Sequence, residues 1–311
     1  MLSRTAENLY WMARYIERAD STARLVEMAN RIAIVPGEDN LNEWRSIAAV
    51  AGSHHLLPSD KNGFDKHTIL RHLIIDTQNP SSICSCITKA RENARAVRTA
   101  LTQEMWEAIN NGWRKLQSVD EQDLVRNLSD LMDWVKNRSA SLRGASEIGM
   151  LRNEGYDFLR LGGYVERADM TLRLLDVKYY VLLPETEVVG GARDHHQWTS
   201  VLRAASALRA YHHVYRDDYS PWKIADFLIL NPMFPRSLIF CYEQIGVCLK
   251  HLLNGSSRSQ TCFATANSVV AHLSDIGMGE IFQEGLHEFI TEKILINQQL
   301  SSEIAKVFYF E

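Results

Sequence analysis

Two stretches of the chain carry carboxylates and guanidiniums in the same order and spacing. Tyr15–Leu25 reads YIERADSTARL and Tyr164–Leu174 reads YVERADMTLRL. The first supplies Glu17, Arg18, Asp20 and Arg24, and the second Glu166, Arg167, Asp169 and Arg173. A positioned carboxylate can hold an amine or act as acid and base, and arginine grips a carboxylate or phosphate through two parallel N–H bonds. The same groups can also neutralise each other. An acid followed by arginine at i+4, as in Asp20–Arg24, is the order that favours pairing on a helix. Glu17 and Glu166 are the candidate catalytic residues, and the arginines and aspartates beside them are candidate substrate ligands.

Burial bears on which use applies. On a helical wheel of about 100° per residue, Met12, Ile16, Ala19, Ala23 and Val26 make an apolar stripe, with Glu17 and Arg24 roughly opposite. On a solvated face each ion pair would contribute under about 1 kcal/mol. In the second copy, however, Leu159, Gly163, Met170 and Val177 flank Glu166 and Arg173, and a helix apolar nearly all round is a buried one. Tyr10 and Met28 bracket Glu17 in the same way. Both charged sets are therefore expected inside the protein and near each other, where charges need partners. Two readings stay open: a salt-bridge core that fixes how two halves dock, or a cavity in which Glu17 and Glu166 bind a ligand or move protons. Gly162-Gly163 clears space beside Glu166, for backbone or for ligand, although a mid-helix glycine costs about 1 kcal/mol.

Three further features could bind an anion. KARENARAVR places Arg91, Arg95 and Arg98 at i, i+4 and i+7, a basic stripe that faces either solvent, the acidic cluster, or a carboxylate or phosphate ligand. Asn79 and Asn231 each precede proline at an expected helix start, with Ser81 and Ser82 as cap candidates; a helix N-terminus can hold an anion, and Arg236 follows the second. No metal or cofactor is expected. Cys84 and Cys86 form a lone C-x-C, and Glu284–His287 is the one E-x-x-H, too little for a zinc or di-iron site. The doublets His54-His55, His195-His196 and His212-His213 cannot aim both rings at one ion and read as surface or loop residues. Phosphate-loop, dinucleotide and nucleophile-elbow motifs do not occur.

The elements that must position these residues read as helices. The 311 residues are 46% hydrophobic and 23% charged, ordinary for a globular protein. No proline lies between Pro80 and Pro184, a span rich in helix formers, while β-branched alternation is scarce. Loops are expected near 36–42, 57–66, 77–81, 117–121, 184–195, 216–222, 231–236 and 254–260. The repeat extends beyond its first motif. After each ERAD come a tryptophan opening a helix (Trp44, Trp198) and then Asn-Pro, Asn79 lying 62 residues after Glu17 and Asn231 lying 65 after Glu166. This predicts an all-α bundle, a single domain over 1–311, built from two duplicated halves related by a pseudo-two-fold axis. Repeat one covers about 1–116, a connecting helix about 120–150, repeat two about 151–254, and C-terminal helices about 260–311. A net charge of −4 argues against a nucleic-acid or anionic-membrane footprint. The charged N-terminus and the lack of long apolar runs predict neither leader nor membrane span, and five cysteines without a pairing pattern fit free thiols in the cytoplasm.

LSRTAENLYWMARYIERADSTAR, NPSSICSCITKARENARAVR and GGYVERADMTLRLLD together resemble the bacterial Alpha-E family, over essentially the whole chain. That resemblance implies a cytoplasmic helical protein of unknown function. It also implies association with circularly permuted ATP-grasp ligases and transglutaminase-like proteins, in a system that forms peptide or amide bonds. The suggested active residues are the Glu and Arg of the ERAD helices, here Glu17, Arg18, Asp20, Arg24, Glu166, Arg167, Asp169 and Arg173. The leading expectation is an amino-acid or peptide-like substrate bound at a Glu/Arg cleft. Its rivals are a non-catalytic adaptor for the ligase and a carboxylate-bridged metalloprotein.

Overall fold

The structure, a computed structural model, describes residues 1–33, 40–51, 65–181, 192–216, 218–254 and 258–310. The loops expected near 36–42, 57–66 and 184–195, and the pair His54-His55, lie largely or wholly outside these residues. Every regular element described is helical, without a strand among the described residues. The chain divides into two units, Met1–Gly163 and Tyr164–Glu311.

The first unit runs α1 (Ser3–Ile32), α2 (Asn40–Val50), α3 (Lys66–Ile74), α4 (Ile83–Ala96), α5 (Gln103–Leu116), α6 (Glu121–Arg126) and α7 (Leu128–Gly149). Helix α1 packs on α4 and α7, and α5 packs on both of these. The apolar stripe of α1 is buried, and so are Tyr10 and Met28 on its other side. Helix α8 (Glu154–Val181) begins in this unit. There Gly155 lies against Leu9. Gly162 approaches the backbone of Tyr10 so closely that an added Cβ would overlap the Tyr10 carbonyl. The close neighbour that the sequence left open is, at Gly162, a backbone.

The second unit continues α8 and adds α9 (Ala192–Ala204), α10 (Leu208–Tyr215), α11 (Pro221–Ile229), α12 (Leu238–Leu253), α13 (Thr261–Asp275), α14 (Met278–Glu284) and α15 (Leu286–Phe308). Helix α13 packs on α12 and α15. The Tyr164 ring meets Phe240 of α12, and Asn297 of α15 donates to the Val165 carbonyl at 3.1 Å.

Burial registers recur between the units. Helices α3 and α11 are nine residues each and bury their fourth, fifth, seventh, eighth and ninth residues. Helices α4 and α12 both bury their first, second, fourth and fifth. Met105, Ile109, Gly112 and Leu116 on α5 keep the spacing of Cys262, Ala266, Val269 and Leu273 on α13. Leu131, Met132, Val135, Ser139 and Leu142 on α7 keep that of Phe289, Ile290, Lys293, Asn297 and Leu300 on α15. Trp44 and Trp198 are both buried.

The Asn-Pro turns are built from the same parts. Ser82 caps α4 by accepting from Ser85 N at 3.1 Å, and Ser237 caps α12 by accepting from Phe240 N at 3.2 Å. Each cap leaves one fewer helix-end amide without a partner. Four residues on, Cys86 and Cys241 point their thiols at the Pro80 and Pro235 carbonyls. Ser82 rather than Ser81 is the cap, and the Ser81 amide closes the turn by donating to Asn79 Oδ1 at 2.9 Å.

Candidate functional site

Helix α1 carries four charged residues at i, i+3, i+7 and i+10: Glu17, Asp20, Arg24 and Glu27. Three and four residues are the steps that keep side chains on one helical face, so these make a ridge. Glu17 is 2% exposed and Asp20 fully buried. Arg24 grips Asp20 with two bonds, Nε to Oδ2 at 2.9 Å and Nη2 to Oδ1 at 3.3 Å. Arg143 arrives from α7, its Nη1 donating to Glu17 Oε2 at 3.0 Å and its Nη2 lying 3.8 Å from Asp20 Oδ2. At the far end Glu27 meets Arg31 and, from α7, Lys136, each at 2.5 Å. Burial works against the Glu27 carboxylate, but those two bonds outweigh it and hold its carboxyl below the usual range.

Helix α8 repeats the ridge with Glu166, Asp169, Arg173 and Asp176. Glu166 is 1% exposed. Arg173 Nε donates to Asp169 Oδ2 at 2.6 Å. Asp176 is met by His287 of α15, Nδ1 to Oδ1 at 2.6 Å; burial pushes its carboxyl up, and His287 offsets only part of that. The turn bearing Glu166 is fixed by a buried relay. Tyr242 of α12 donates to Asn297 Oδ1 at 3.2 Å, and Asn297 donates to the Val165 carbonyl next to Glu166. Replacing Asn297 by leucine strands the buried Tyr242 hydroxyl and is expected to cost about 1–3 kcal/mol, read as a shift of the urea midpoint at constant slope. Gly163, one turn before Glu166, has no atom within 4 Å of where a Cβ would stand.

The arginine that follows each glutamate behaves differently from the glutamate. Arg18 lies over the Tyr15 ring at 5.8 Å and Arg167 over the Tyr164 ring at 5.0 Å, with Arg167 also reaching the Pro235 carbonyl at 3.4 Å. Each Glu-Arg pair thus places its acid inward and its guanidinium on an aromatic face nearer the surface.

The remaining sequence candidates sit elsewhere. Arg91 stacks 4.1 Å from the Trp113 ring centroid and donates to Asn110 of α5. Arg95 is exposed. Arg98 falls beyond α4, in a 3-10 turn (Arg98–Ala100), because Val97 leaves helical geometry at φ −119° and ψ 30°; the three arginines do not share one helix face. Asn79 donates to the His72 carbonyl, and Asn231 Oδ1 accepts from Met233 N, so both side chains hold turns. The Arg236 carbonyl accepts from Thr171. His212 and His213 are exposed, and His195 packs on Tyr219. The five cysteines are buried free thiols. Among the described residues no three His, Cys, Asp or Glu gather as a metal set, and no helix is long and apolar enough to cross a membrane.

The sequence reading missed Glu27, Arg143, Lys136 and the pairing of Asp176 with His287. The acid at i+10, present in both copies, was the available signal for Glu27 and Asp176. Nothing local marks Arg143, which is 126 residues from Glu17.

The chain contains Glu-Arg in sequence twice, at Glu17-Arg18 and Glu166-Arg167, the pairs whose geometry is given above. A family model described as a predicted alpha-helical domain with a conserved ER motif matches residues 1–309. The chain belongs to the Alpha-E family. Similar proteins are uncharacterised ones from Mycobacterium bovis and from two strains of Mycobacterium tuberculosis. Each is 21% identical over 312 residues, covering 93% of this chain but 34% of the relative. This Alpha-E chain thus spans about a third of the length of the curated relatives it matches. No solved structure matches it significantly.

Proposed function

We propose that this protein works beside an ATP-grasp-type ligase in forming an amide or peptide bond, and that the α8 ridge holds an amino-acid or peptide-like substrate. Glu166 serves as acid/base or as the carboxylate that receives the substrate amine, and Arg173 receives a carboxylate or phosphate. The observation that carries this is Glu166 itself. It is a fully buried carboxylate whose turn is locked by Asn297 and Tyr242, with open space above Gly163 where a helix normally carries a side chain. Burial on a held stretch of backbone suits a proton-transferring or amine-binding carboxylate. No cofactor of its own is needed for that role, and a transglutaminase-like protein is a second partner consistent with it. The place of action we propose is the cytoplasm.

We further infer that the chain is an internal duplication whose repeat runs through α7 in one half and α15 in the other. The matching burial registers of four helix pairs support that longer unit, as do the twin Asn-Pro turns.

The adaptor reading draws on one observation in the other half. Glu17 and Asp20 meet Arg24 of their own helix and Arg143 of α7, and carboxylates bonded to guanidiniums across two helices suit a structural tie. On our reading the α1 ridge is that tie and the α8 ridge is the working one. The test is ligase-coupled ADP release over a panel of amino acids with Glu166→Gln, Arg173→Gln and Glu17→Gln. The first two should keep the helical circular dichroism signal and lose activity, while Glu17→Gln should lose mainly stability. Full activity in Glu166→Gln, or unfolding of both α8 variants, would overturn the catalytic reading and favour the adaptor.

A further inference from the structure

Away from both ridges, the first unit has a hollow of ≈ 460 Å³ where the start of α3 faces the end of α6 and the start of α7. Pockets of this size are typical of small-ligand sites. Its floor is apolar, from Leu70, Leu124 and Leu128. Its rim holds two cations and two carboxylates: Lys66 and Arg126, Asp65 and Asp130. Lys66 Nζ donates to the neutral Asn30 Oδ1 at 2.9 Å and lies 5.1 Å from the Trp44 ring centroid. Among the described residues no carboxylate comes within ion-pair distance of Lys66 or Arg126, and no cation within that distance of Asp130. Burial pushes the Lys66 ammonium down, with no carboxylate opposing that shift. Asp65 is held below the usual carboxylate range by Thr68, whose amide donates to it at 2.8 Å, so it stays charged.

The second unit carries different side chains at the matching positions. Helix α11 corresponds to α3 by its burial register, and α14 lies between α13 and α15 as α6 lies between α5 and α7, each with its fourth residue buried. His67, second in α3, then corresponds to Trp222, second in α11. Val125, next after buried Leu124, corresponds to Phe282, next after buried Ile281. Trp222 and Phe282 are part-exposed rings that stack on each other at 5.1 Å and 27°. In the first unit the same two positions hold smaller side chains, and both His67 and Val125 line open space.

We propose that this hollow binds a small zwitterion with an apolar side chain, of the free α-amino-acid type. Lys66 and Arg126 receive its carboxylate, Asp130 and Asp65 its ammonium, and Leu70, Leu124 and Leu128 its side chain. A charge-balanced rim disfavours a simple anion or a simple cation, because each would leave two like charges facing it. The inference concerns elements other than the ridges and stands apart from the function proposed for them.

The experiment is titration calorimetry of the full chain with L-leucine, L-leucinamide, which lacks the carboxylate, and 4-methylpentanoate, which lacks the ammonium. Saturable one-site binding of leucine is expected, with each analogue weaker by about tenfold or more. Lys66→Gln and Asp130→Asn should each weaken leucine by about tenfold. The double variant His67→Trp with Val125→Phe, which places the stacking ring pair of Trp222 and Phe282 at the lining of the hollow, should abolish binding while the circular dichroism signal is kept. No saturable heat with leucine up to about 10 mM, equal binding of all three compounds, or undiminished binding by the plugged variant would each overturn the proposal.

Discussion

Replacing Arg143 by methionine is expected to lower the stability of the protein by about 2–3 kcal/mol, the low end for removing one member of a buried pair because a third of the Arg143 side chain is exposed. The loss arises from what stays behind. Glu17 and Asp20 remain buried after one of their guanidiniums has gone. An apolar chain of similar length keeps most of the packing on α7, so the change reports charge rather than volume. A further measurement separates this from a generic defect. The double variant Arg143→Met with Glu17→Gln should recover most of the loss, because the buried charge is removed together with the guanidinium that met it; simple additivity in that cycle would refute the account.

Gly162→Ala is expected to cost about 2 kcal/mol or more, the range for forcing atoms into a packed site, although alanine is the better helix former by about 1 kcal/mol. The new Cβ would meet the carbonyl of Tyr10, with the carbonyl carbon only 2.9 Å and Cα 3.1 Å away. Backbone cannot rotate aside as a side chain can, so α1 and α8 must separate or bend. The neighbouring change is predicted to go the other way. Gly163→Ala meets nothing within 4 Å and should gain up to about 1 kcal/mol of helix propensity. If the space over Gly163 serves a substrate of the α8 ridge, the stabler Gly163→Ala protein should also be the less active one. Thermal unfolding of the two single variants checks the pair, and equal effects of like sign would remove the role assigned to the Gly162 contact.

Much of the site was legible because its internal geometry is local. Glu17, Asp20 and Arg24 fall at helical spacing in the sequence, and the apolar residues around Glu166 already implied that its helix is buried. The Asp20–Arg24 and Asp169–Arg173 pairs follow from i,i+4 contact alone. The arginine stripe was read less well. Helical periodicity carried Arg98 onto the face of Arg91, whereas the helix stops at Ala96 and tryptophans of α5 take up the Arg91 and Arg98 guanidiniums.

The sequence alone determined the all-helical class, the two ERAD ridges, their burial and the membership of a family defined by its Glu-Arg motif. Each of these depends on residues within a few turns of one another, where chain connectivity fixes the geometry. The tertiary structure alone decided that Arg143 closes on Glu17, that Lys136 meets Glu27 while His287 meets Asp176, that a hollow opens beside α3 in the first unit, and that Trp222 stacks on Phe282 in the second. Those outcomes depend on how separate helices dock. Docking is set by the summed packing of many side chains, so no single spacing along the chain encodes which distant charge or ring arrives at a given turn.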